Sequence, residues 1–148
     1  MSEFKVVGGP DFEVTRSGLT RALDYFAERG CCRLFVLSDP FLVSNGLAAQ
    51  IDAINQDRFQ IFIYSDFVGE PKLASVQDAM LAARAFNGDA VLGIGGGSGL
   101  DIAKIVKTCV NTGRDVADFV MQANPLPPLS SQVPSVMIPT TCSFIALK

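Results

Sequence analysis

The chain contains no histidine among its 148 residues. This absence excludes from the polypeptide a Ser-His-Asp triad, a histidine general base and any metal site built on imidazole ligands. Its four cysteines do not form a CxxC pair or a zinc-type set, and we expect them to be ordinary reduced thiols rather than a disulfide framework. We therefore assign neither a catalytic residue nor a metal ligand to this chain.

Positive charge is scarce and dispersed. The chain has 12 Lys and Arg against 15 Asp and Glu, a formal net charge of −3, and no basic run that would neutralise a phosphate backbone or an anionic membrane. No apolar run approaches the ~20 residues needed to cross a bilayer, and no basic segment followed by an apolar stretch opens the chain. We expect a cytoplasmic protein that binds neither nucleic acid nor membranes.

Short apolar runs alternate with stretches of helical period along the chain, which is typical of βαβ units on a parallel sheet. The length suits one compact domain, so the pattern predicts a single α/β unit. A capping box of Ser75 and Asp78 marks the start of one predicted helix. The predicted strands are Phe4–Val7, Arg33–Ser38, Gln60–Tyr64, Asp89–Ile94 and Ser135–Ile138. The predicted helices carry apolar faces at Leu19, Ala22, Leu23 and Phe26; at Leu47, Ile51 and Ile54; at Val76, Ala79, Ala83 and Phe86; and within Ser98–Cys109.

The glycine turn Gly95-Gly96-Gly97-Ser98 joins a predicted buried strand to a helix. Without a Cβ, the backbone can approach a ligand closely, and the free N–H groups and helix dipole would face an anion there. That geometry suits a diphosphate group. The spelling is neither the GxGxxG fingerprint nor a P-loop. The alternative is a tight strand-to-helix turn that merely requires small residues.

Asp101 lies three residues after Ser98 and has two interpretations. It either closes a capping box with Ser98 as N-cap, with Lys104 as an i, i+3 charge partner, or it points with Lys104 into a cleft at the carboxyl ends of the strands. The spacing does not decide between them.

Two further polar positions follow predicted strands. Asp39 stands where dinucleotide-binding folds place an acid that hydrogen-bonds a ribose hydroxyl, but it could equally form an Asp-Pro turn that starts the next helix. Thr140 and Thr141 follow the last predicted strand. Their hydroxyls could contact a phosphate or a base, or cap the turn.

Several segments carry a resemblance to a known family. The strings are VVGGPDF, RLFVLSDP, VGEPKLASVQDA, GDAVLGIGGGSGLDIAK, GRDVADF and PSVMIPTT, in this order across nearly the whole chain. The chain resembles the N-terminal, NAD(P)-binding domain of the iron-containing (group III) alcohol dehydrogenases, in the superfamily that includes dehydroquinate synthase and glycerol dehydrogenase. The resemblance implies a Rossmann-like parallel sheet flanked by helices, the dinucleotide-binding domain of a normally two-domain enzyme.

The same resemblance implies an oxidoreductase that moves a hydride between NAD(P) and an alcohol or aldehyde. It places the cofactor pyrophosphate on the turn Gly95–Ser98 and makes Asp101 an acid lining the cofactor cleft. It places Thr140 and Thr141 near the adenine and phosphates, and it makes Asp39 the ribose acid that favours NAD over NADP, since an acid there would repel a 2′-phosphate.

The end of the chain departs from the family pattern. The family continues into a helical domain that supplies Asp and His ligands for Fe²⁺ or Zn²⁺, whereas residues 142–148 follow no family pattern. We expect residues 1–141 to be the dinucleotide-binding domain, residues 142–148 an atypical tail, and the helical metal and catalytic domain to be absent. The isolated chain is then expected to be inactive, with a homodimer or the missing C-terminal domain as candidate partners. A stand-alone nucleotide-binding module, a non-functional truncated product and the dehydroquinate synthase branch remain alternatives.

Overall fold

The computed structural model describes residues 4–6, 12–14, 17–67, 69–70, 72–110, 115–116 and 133–140. Within these ranges the chain alternates between strands and helices, as the apolar pattern predicts. The strands are β1 (Phe4–Val6), β2 (Phe12–Val14), β3 (Arg33–Ser38), β4 (Gln60–Tyr64), β5 (Ala90–Gly95) and β6 (Ser135–Pro139). The helices are α1 (Gly18–Glu28), α2 (Pro40–Ser44), α3 (Leu47–Asn55), α4 (Leu73–Phe86) and α5 (Gly97–Cys109).

The four strands β3 to β6 form one parallel sheet in the order β4-β3-β5-β6. β5 lies inside the sheet and is buried along its whole length, and β3 is buried from its second residue onward. Parallel strands covered on both faces read as continuous apolar runs, which explains why Arg33–Ser38 and the strand before the glycine turn could be recognised in the sequence. The predicted α/β fold is confirmed.

Helices pack on both faces of this sheet. On one face, α4 and α5 bury side chains such as Met80 and Ile102 against Phe35 and Val91. On the other face, α1 and α3 bury side chains such as Phe26 and Ile51 against Leu34. Successive strand residues point to opposite faces, so each strand contributes to both cores.

The strand order places a topological switch point between β3 and β5. From β3 the chain crosses to β4 on one side, and after α4 it returns to β5 on the other side of β3. In open α/β sheets, ligands bind in the crevice outside the carboxyl ends of the strands at such a point. Asp39 follows β3 and the glycine turn follows β5, so both candidate segments lie at this position.

The opposite end of the same strand pair is joined by Asp89, the residue before β5. Its carboxylate accepts hydrogen bonds from the backbone N–H of Cys32, 2.9 Å from Oδ2, and of Arg33, 2.9 Å from Oδ1. The Arg33 guanidinium lies over the Phe86 ring, 4.4 Å from its centroid, and donates to the Phe86 carbonyl. We call this arrangement the Asp89 clamp.

The first part of the chain differs from its prediction. The opening strand is described over Phe4–Val6, and Val7, the last residue of the predicted strand, lies outside the described residues. This strand pairs antiparallel with β2, which the sequence analysis did not predict. These two strands form a separate two-stranded sheet rather than extending the parallel one.

The predicted capping box of Ser75 and Asp78 is wrong. Lys72 is the N-cap residue, and the Val76 N–H already bonds the Lys72 carbonyl at 3.1 Å, so Ser75 lies inside the first turn of α4. A capping box requires the serine at the N-cap itself. None of the helices among the described residues is both long and apolar enough to span a membrane.

Candidate functional site

The glycine turn opens α5 one residue earlier than the sequence predicts. Gly96 is the N-cap and Gly97 the first helical residue, and the Leu100 N–H bonds the Gly96 carbonyl at 3.1 Å. The predicted N-cap role of Ser98 is therefore wrong, and with it the capping box to Asp101, because Ser98 is already the second residue of the helix. The N-cap of α5 forms no side-chain capping hydrogen bond, and no acidic residue lies in the first turn of this helix.

Gly95 requires the absence of a side chain for two reasons. Its φ of +146° is one that L side chains rarely adopt, and a Cβ at this position would lie 2.5 Å from Oδ2 of Asp39. Gly97 is different, because a Cβ there would meet nothing within 4 Å. The backbone conformation and the contact with Asp39 thus explain why residue 95 is a glycine, whereas at Gly97 the space next to the backbone is open.

Asp39 contacts the glycine turn across the strand pair. Its Oδ2 accepts a hydrogen bond of 2.9 Å from the backbone N–H of Gly96, the N-cap of α5. Neighbouring strand ends make this contact possible, since Ser38 lies beside Ile94 in the β3–β5 register. Asp39 forms the Asp-Pro turn that starts the next helix, because it is the N-cap of α2 and Pro40 is the first helical residue. Among the described residues, Oδ1 of Asp39 has no hydrogen-bond partner.

An open cavity of about 620 Å³ lies beside the turn. Its volume is within the range of sites for small molecules and cofactors. The residues of the described ranges that line it are Asp39, Pro40, Phe67, Gly69, Glu70, Gly96, Gly97 and Ser98. Three segments that are far apart in sequence therefore converge at the carboxyl ends of β3, β4 and β5.

The loop after β4 contributes residues that the sequence analysis did not assign to a site. Phe67 is only 6% exposed, and its ring would be 3.2 Å from a Cβ at Gly99, so it packs against the first turn of α5. Gly69 and Glu70 also line the cavity. Both residues belong to the VGEP string that contributes to the family resemblance. This string is the sequence signal that could have assigned them to the site.

The electrostatics of the cavity depend on backbone groups rather than cationic side chains. Its described lining contains two acids, Asp39 and Glu70, and neither lysine nor arginine. Favourable interaction with an anion would come from the N–H groups at the start of α5, which lack intrahelical acceptors, and from the helix dipole. An additional phosphate near either carboxylate would be repelled.

Asp101 does not line this cavity. Its carboxylate lies 3.5 Å from the Lys104 ammonium, and the two side chains are 62% and 57% exposed. The i, i+3 charge pair is thus the arrangement that the structure has, and an exposed pair of this kind contributes a few tenths of a kcal/mol. Thr140 lies next to the turn, where its N–H bonds the Gly95 carbonyl at 2.9 Å. Thr141 lies outside the described residues, as do residues 142–148.

The described residues contain no group of three or more His, Cys, Asp or Glu side chains placed to hold a metal ion. The described site is built from a glycine turn, a helix N-terminus and a strand-end carboxylate.

Three known proteins are similar to this chain in sequence or in fold. A long-chain-alcohol dehydrogenase from Geobacillus thermodenitrificans is 31% identical over 142 residues, which are 95% of this chain and 36% of that protein. The crystal structure of sulfoacetaldehyde reductase from Bifidobacterium kashiwanohense in complex with NAD⁺ is similar at a TM-score of 0.76 and 20% identity, covering 86% of this chain and 33% of that one. The NADH-dependent butanol dehydrogenase A from Thermotoga maritima has a TM-score of 0.71 at 22% identity, covering 84% of this chain and 31% of that one.

The chain spans about a third of the length of these relatives. Its structural neighbours share the parallel α/β architecture with helices on both faces. The family model for iron-containing alcohol dehydrogenase matches residues 12–144, which is most of the sequence. The chain therefore belongs to the iron-containing alcohol dehydrogenase family.

Proposed function

We propose that this chain provides the NAD-binding part of an alcohol dehydrogenase, with residues 1–141 as the dinucleotide-binding domain. The observation that supports this most strongly is the position of the turn Gly95–Ser98. It lies at the topological switch point, opens α5 and borders a cavity of about 620 Å³. A pyrophosphate group there would meet backbone N–H groups and the positive end of the helix dipole.

Each residue of the site receives a proposed role. Gly97 allows the pyrophosphate to approach, because no Cβ projects from the first residue of α5 into the open space. Asp39 orients the adenosine ribose through Oδ1, while Oδ2 remains on the Gly96 N–H. Asp39 and Glu70 together disfavour a 2′-phosphate, which supports NAD rather than NADP as the cofactor.

The remaining proposed contacts involve residues outside the described lining of the cavity. Thr140 is fixed beside Gly95 by its backbone hydrogen bond, so its side chain and that of Thr141 are proposed to contact the adenine or phosphate groups. Asp101 is proposed to border the wider cleft from the exposed face of α5. Both proposals follow the positions of these residues in the family.

Bound NAD would supply the hydride acceptor or donor for an alcohol or an aldehyde. The residues of this chain would bind and orient the dinucleotide, but they do not fit the Fe²⁺ or Zn²⁺ of the family, because the sequence has no histidine. We therefore propose that the 148-residue chain alone has no dehydrogenase activity. A second domain or a second copy of the chain is the proposed partner, and the cytoplasm the proposed location.

The test is a fluorescence titration with NADH of the purified chain and of Gly97→Asp. An acid at the first position of α5 is favourable for the helix, so the variant should fold at least as stably as the parent chain. The same acid would repel a pyrophosphate, and the dissociation constant for NADH should rise by at least about tenfold, which corresponds to about 1.4 kcal/mol. NADPH is titrated in parallel and should bind more weakly than NADH.

Gln50→Asp is the matched control. It adds the same charge to an exposed position in the first turn of α3, away from the residues that line the cavity. It should leave NADH binding unchanged. Equal NADH affinity in the parent chain and Gly97→Asp, or no saturable binding by a chain that circular dichroism shows to be folded, would contradict the proposal.

A further inference from the structure

Gly99 is a glycine at a buried position in the first turn of α5. A glycine inside a helix is less favourable than an alanine, because it loses more backbone entropy on folding. The helical backbone at this position suits any L residue, unlike that of Gly95. The reason for a glycine here must therefore lie in what surrounds it.

Two side chains close in on the space where a Cβ of residue 99 would lie. That Cβ would be 3.2 Å from Oδ1 of Asp39 and 3.2 Å from Cζ of Phe67. Both distances are shorter than ordinary van der Waals contacts, so an alanine here requires a neighbour to move by a few tenths of an ångström. Gly99 thus lies between a carboxylate from the end of β3 and a ring from the loop after β4.

The two neighbours differ in how easily they can move. Phe67 is only 6% exposed and belongs to the core cluster beneath α4 and α5, and its N–H bonds the Ser65 carbonyl at 2.9 Å. Asp39 is half-buried beside the open cavity, and its carboxylate accepts one hydrogen bond within the described part of the chain. The carboxylate is therefore the neighbour that a Cβ at residue 99 would displace.

We infer that Phe67 and Gly99 are positioning residues, which together hold the Asp39 carboxylate in the orientation that selects NADH over NADPH. This inference rests on the proposed function, in which Oδ1 of Asp39 binds a hydroxyl of the adenosine ribose. The Phe67 ring is a wall on one side of Gly99, and the missing Cβ leaves room for Oδ1 on the other. Hydrogen bonds to a carboxylate are short and directional, so a small displacement weakens them.

The first test is a fluorescence titration of the parent chain and of Gly99→Ala with NADH and with NADPH. Displacement of the carboxylate should raise the dissociation constant for NADH by about three- to tenfold, because part of a charge-assisted hydrogen bond is lost. The constant for NADPH should rise by less, since the charge that repels the 2′-phosphate moves away. The preference for NADH should therefore decrease.

Gly88→Ala is the matched control. Its Cβ would lie 3.3 Å from Cβ of Phe35, which is as close a contact, but at the opposite end of the strand pair from the cavity. It should leave both dissociation constants unchanged.

A second background separates positioning of the carboxylate from a general disturbance of α5. Asp39→Ala removes the group that Gly99→Ala would displace. In that background, Gly99→Ala should change the dissociation constant for NADH by no more than about twofold. A disturbed helix start would instead weaken NADH binding in both backgrounds.

Shortening the ring tests the role of Phe67. Valine has no atom at the position of Cζ, so in the Phe67→Val background a Cβ at residue 99 can move into the vacated space and leave Asp39 in place. Gly99→Ala should then raise the NADH dissociation constant by no more than about twofold relative to Phe67→Val alone. This rescue is specific to a squeeze between ring and carboxylate.

A measurement without nucleotide keeps the inference separate from the proposed function. Oδ2 of Asp39 accepts the Gly96 N–H, so displacement of the carboxylate should speed hydrogen exchange at this amide. In the ligand-free ¹⁵N-labelled chain, Gly99→Ala should show faster exchange at Gly96 than the parent chain or Gly88→Ala.

The possible failures can be told apart. If the parent chain binds NADH but Gly99→Ala binds both nucleotides equally well, or loses as much affinity in the Asp39→Ala and Phe67→Val backgrounds, the inference is wrong and the proposed function stands. A folded parent chain that does not bind NADH would overturn the proposed function and the selectivity with it. Unchanged exchange at Gly96 in Gly99→Ala would show that Gly99 does not hold the carboxylate.

Discussion

The two ends of the strand pair β3 and β5 are each joined by an aspartate, but the two contacts differ in how fully the carboxylate is used. At the amino end, Asp89 accepts from the N–H groups of Cys32 and Arg33, and both of its oxygens are engaged. At the carboxyl end, Asp39 accepts one N–H, from Gly96, and its Oδ1 has no partner among the described residues. The first end is thus committed to holding the sheet together, and the second retains a capacity for a ligand.

The largest expected effect is the loss of the Asp89 clamp. Asp89→Ala leaves the amides of Cys32 and Arg33 without their charged acceptor, and bonds of this kind contribute more than neutral ones. The free energy of unfolding should fall by about 2–3 kcal/mol in urea denaturation, while NADH affinity of the folded protein stays the same. Glu28→Ala, an exposed acid at the end of α1, is the control. A midpoint for Asp89→Ala that equals the control would show that the clamp does not hold the sheet.

The next effect concerns the strand just before the glycine turn. A Cβ at Gly93 would lie 2.7 Å from Sδ of Met137 and 2.8 Å from Cβ of Ala103. Gly93→Ala should therefore destabilise the chain by about 1–3 kcal/mol through overpacking. Gly97→Ala, whose Cβ meets nothing, should change the stability by much less. Thermal denaturation of the two variants measures the difference, and equal losses would contradict the packing described for β5 and α5.

We expect Asp39→Ala to lose less stability than Asp89→Ala but to lose more affinity for NADH. It removes a single hydrogen bond, so the loss of stability should be about 1 kcal/mol, smaller than that of Asp89→Ala. NADH binding should nevertheless weaken, and the preference for NADH over NADPH should decrease. The comparison would fail if Asp39→Ala were the more destabilising variant, or if Asp89→Ala weakened NADH binding as strongly.

The smallest effect is a pH dependence at the amino end. Burial raises the pKa of the Cys31 thiol above its ordinary value, and the nearby Asp89 and Cys32 raise it further. Because the folded-state pKa is raised, this thiol contributes stability that is present at lower pH and is lost as the pH rises through that value. Iodoacetamide should label Cys31 in the folded chain only at higher pH than in urea, and Asp89→Ala should lower the pH required. Identical pH profiles in the folded and unfolded chain would contradict this prediction.

Much of the fold could be predicted from the sequence, because the parallel strands are short, largely apolar runs bounded by turn residues. Arg33–Ser38 and Gln60–Tyr64 have the bounds that the sequence predicts. The starts of α4 and α5 could not be predicted as well, since Ser75 and Ser98 look like caps but lie inside their helices. Helix ends depend on which carbonyl the first amide reaches, and neighbouring segments decide that.

The glycine turn could be predicted as part of the site, but the contacts that bring the other residues of the site to it could not. Three consecutive glycines after an apolar run indicate a turn that approaches a ligand, and the structure places them beside a cavity. The contact of Asp39 with Gly96 spans 57 residues of sequence and depends on β3 lying beside β5. Phe67 and Glu70 enter the site for the same reason, because the strand order brings the loop after β4 to the turn.

The most direct test of the difference between the two ends is a titration of the ¹⁵N-labelled chain with NADH, followed by the backbone amide resonances. The account predicts saturable shifts for Gly96, Gly97 and Ser98, with little change for Cys32 and Arg33 in the Asp89 clamp. Shifts concentrated at Cys32 and Arg33, or no saturable shift at the glycine turn, would contradict it.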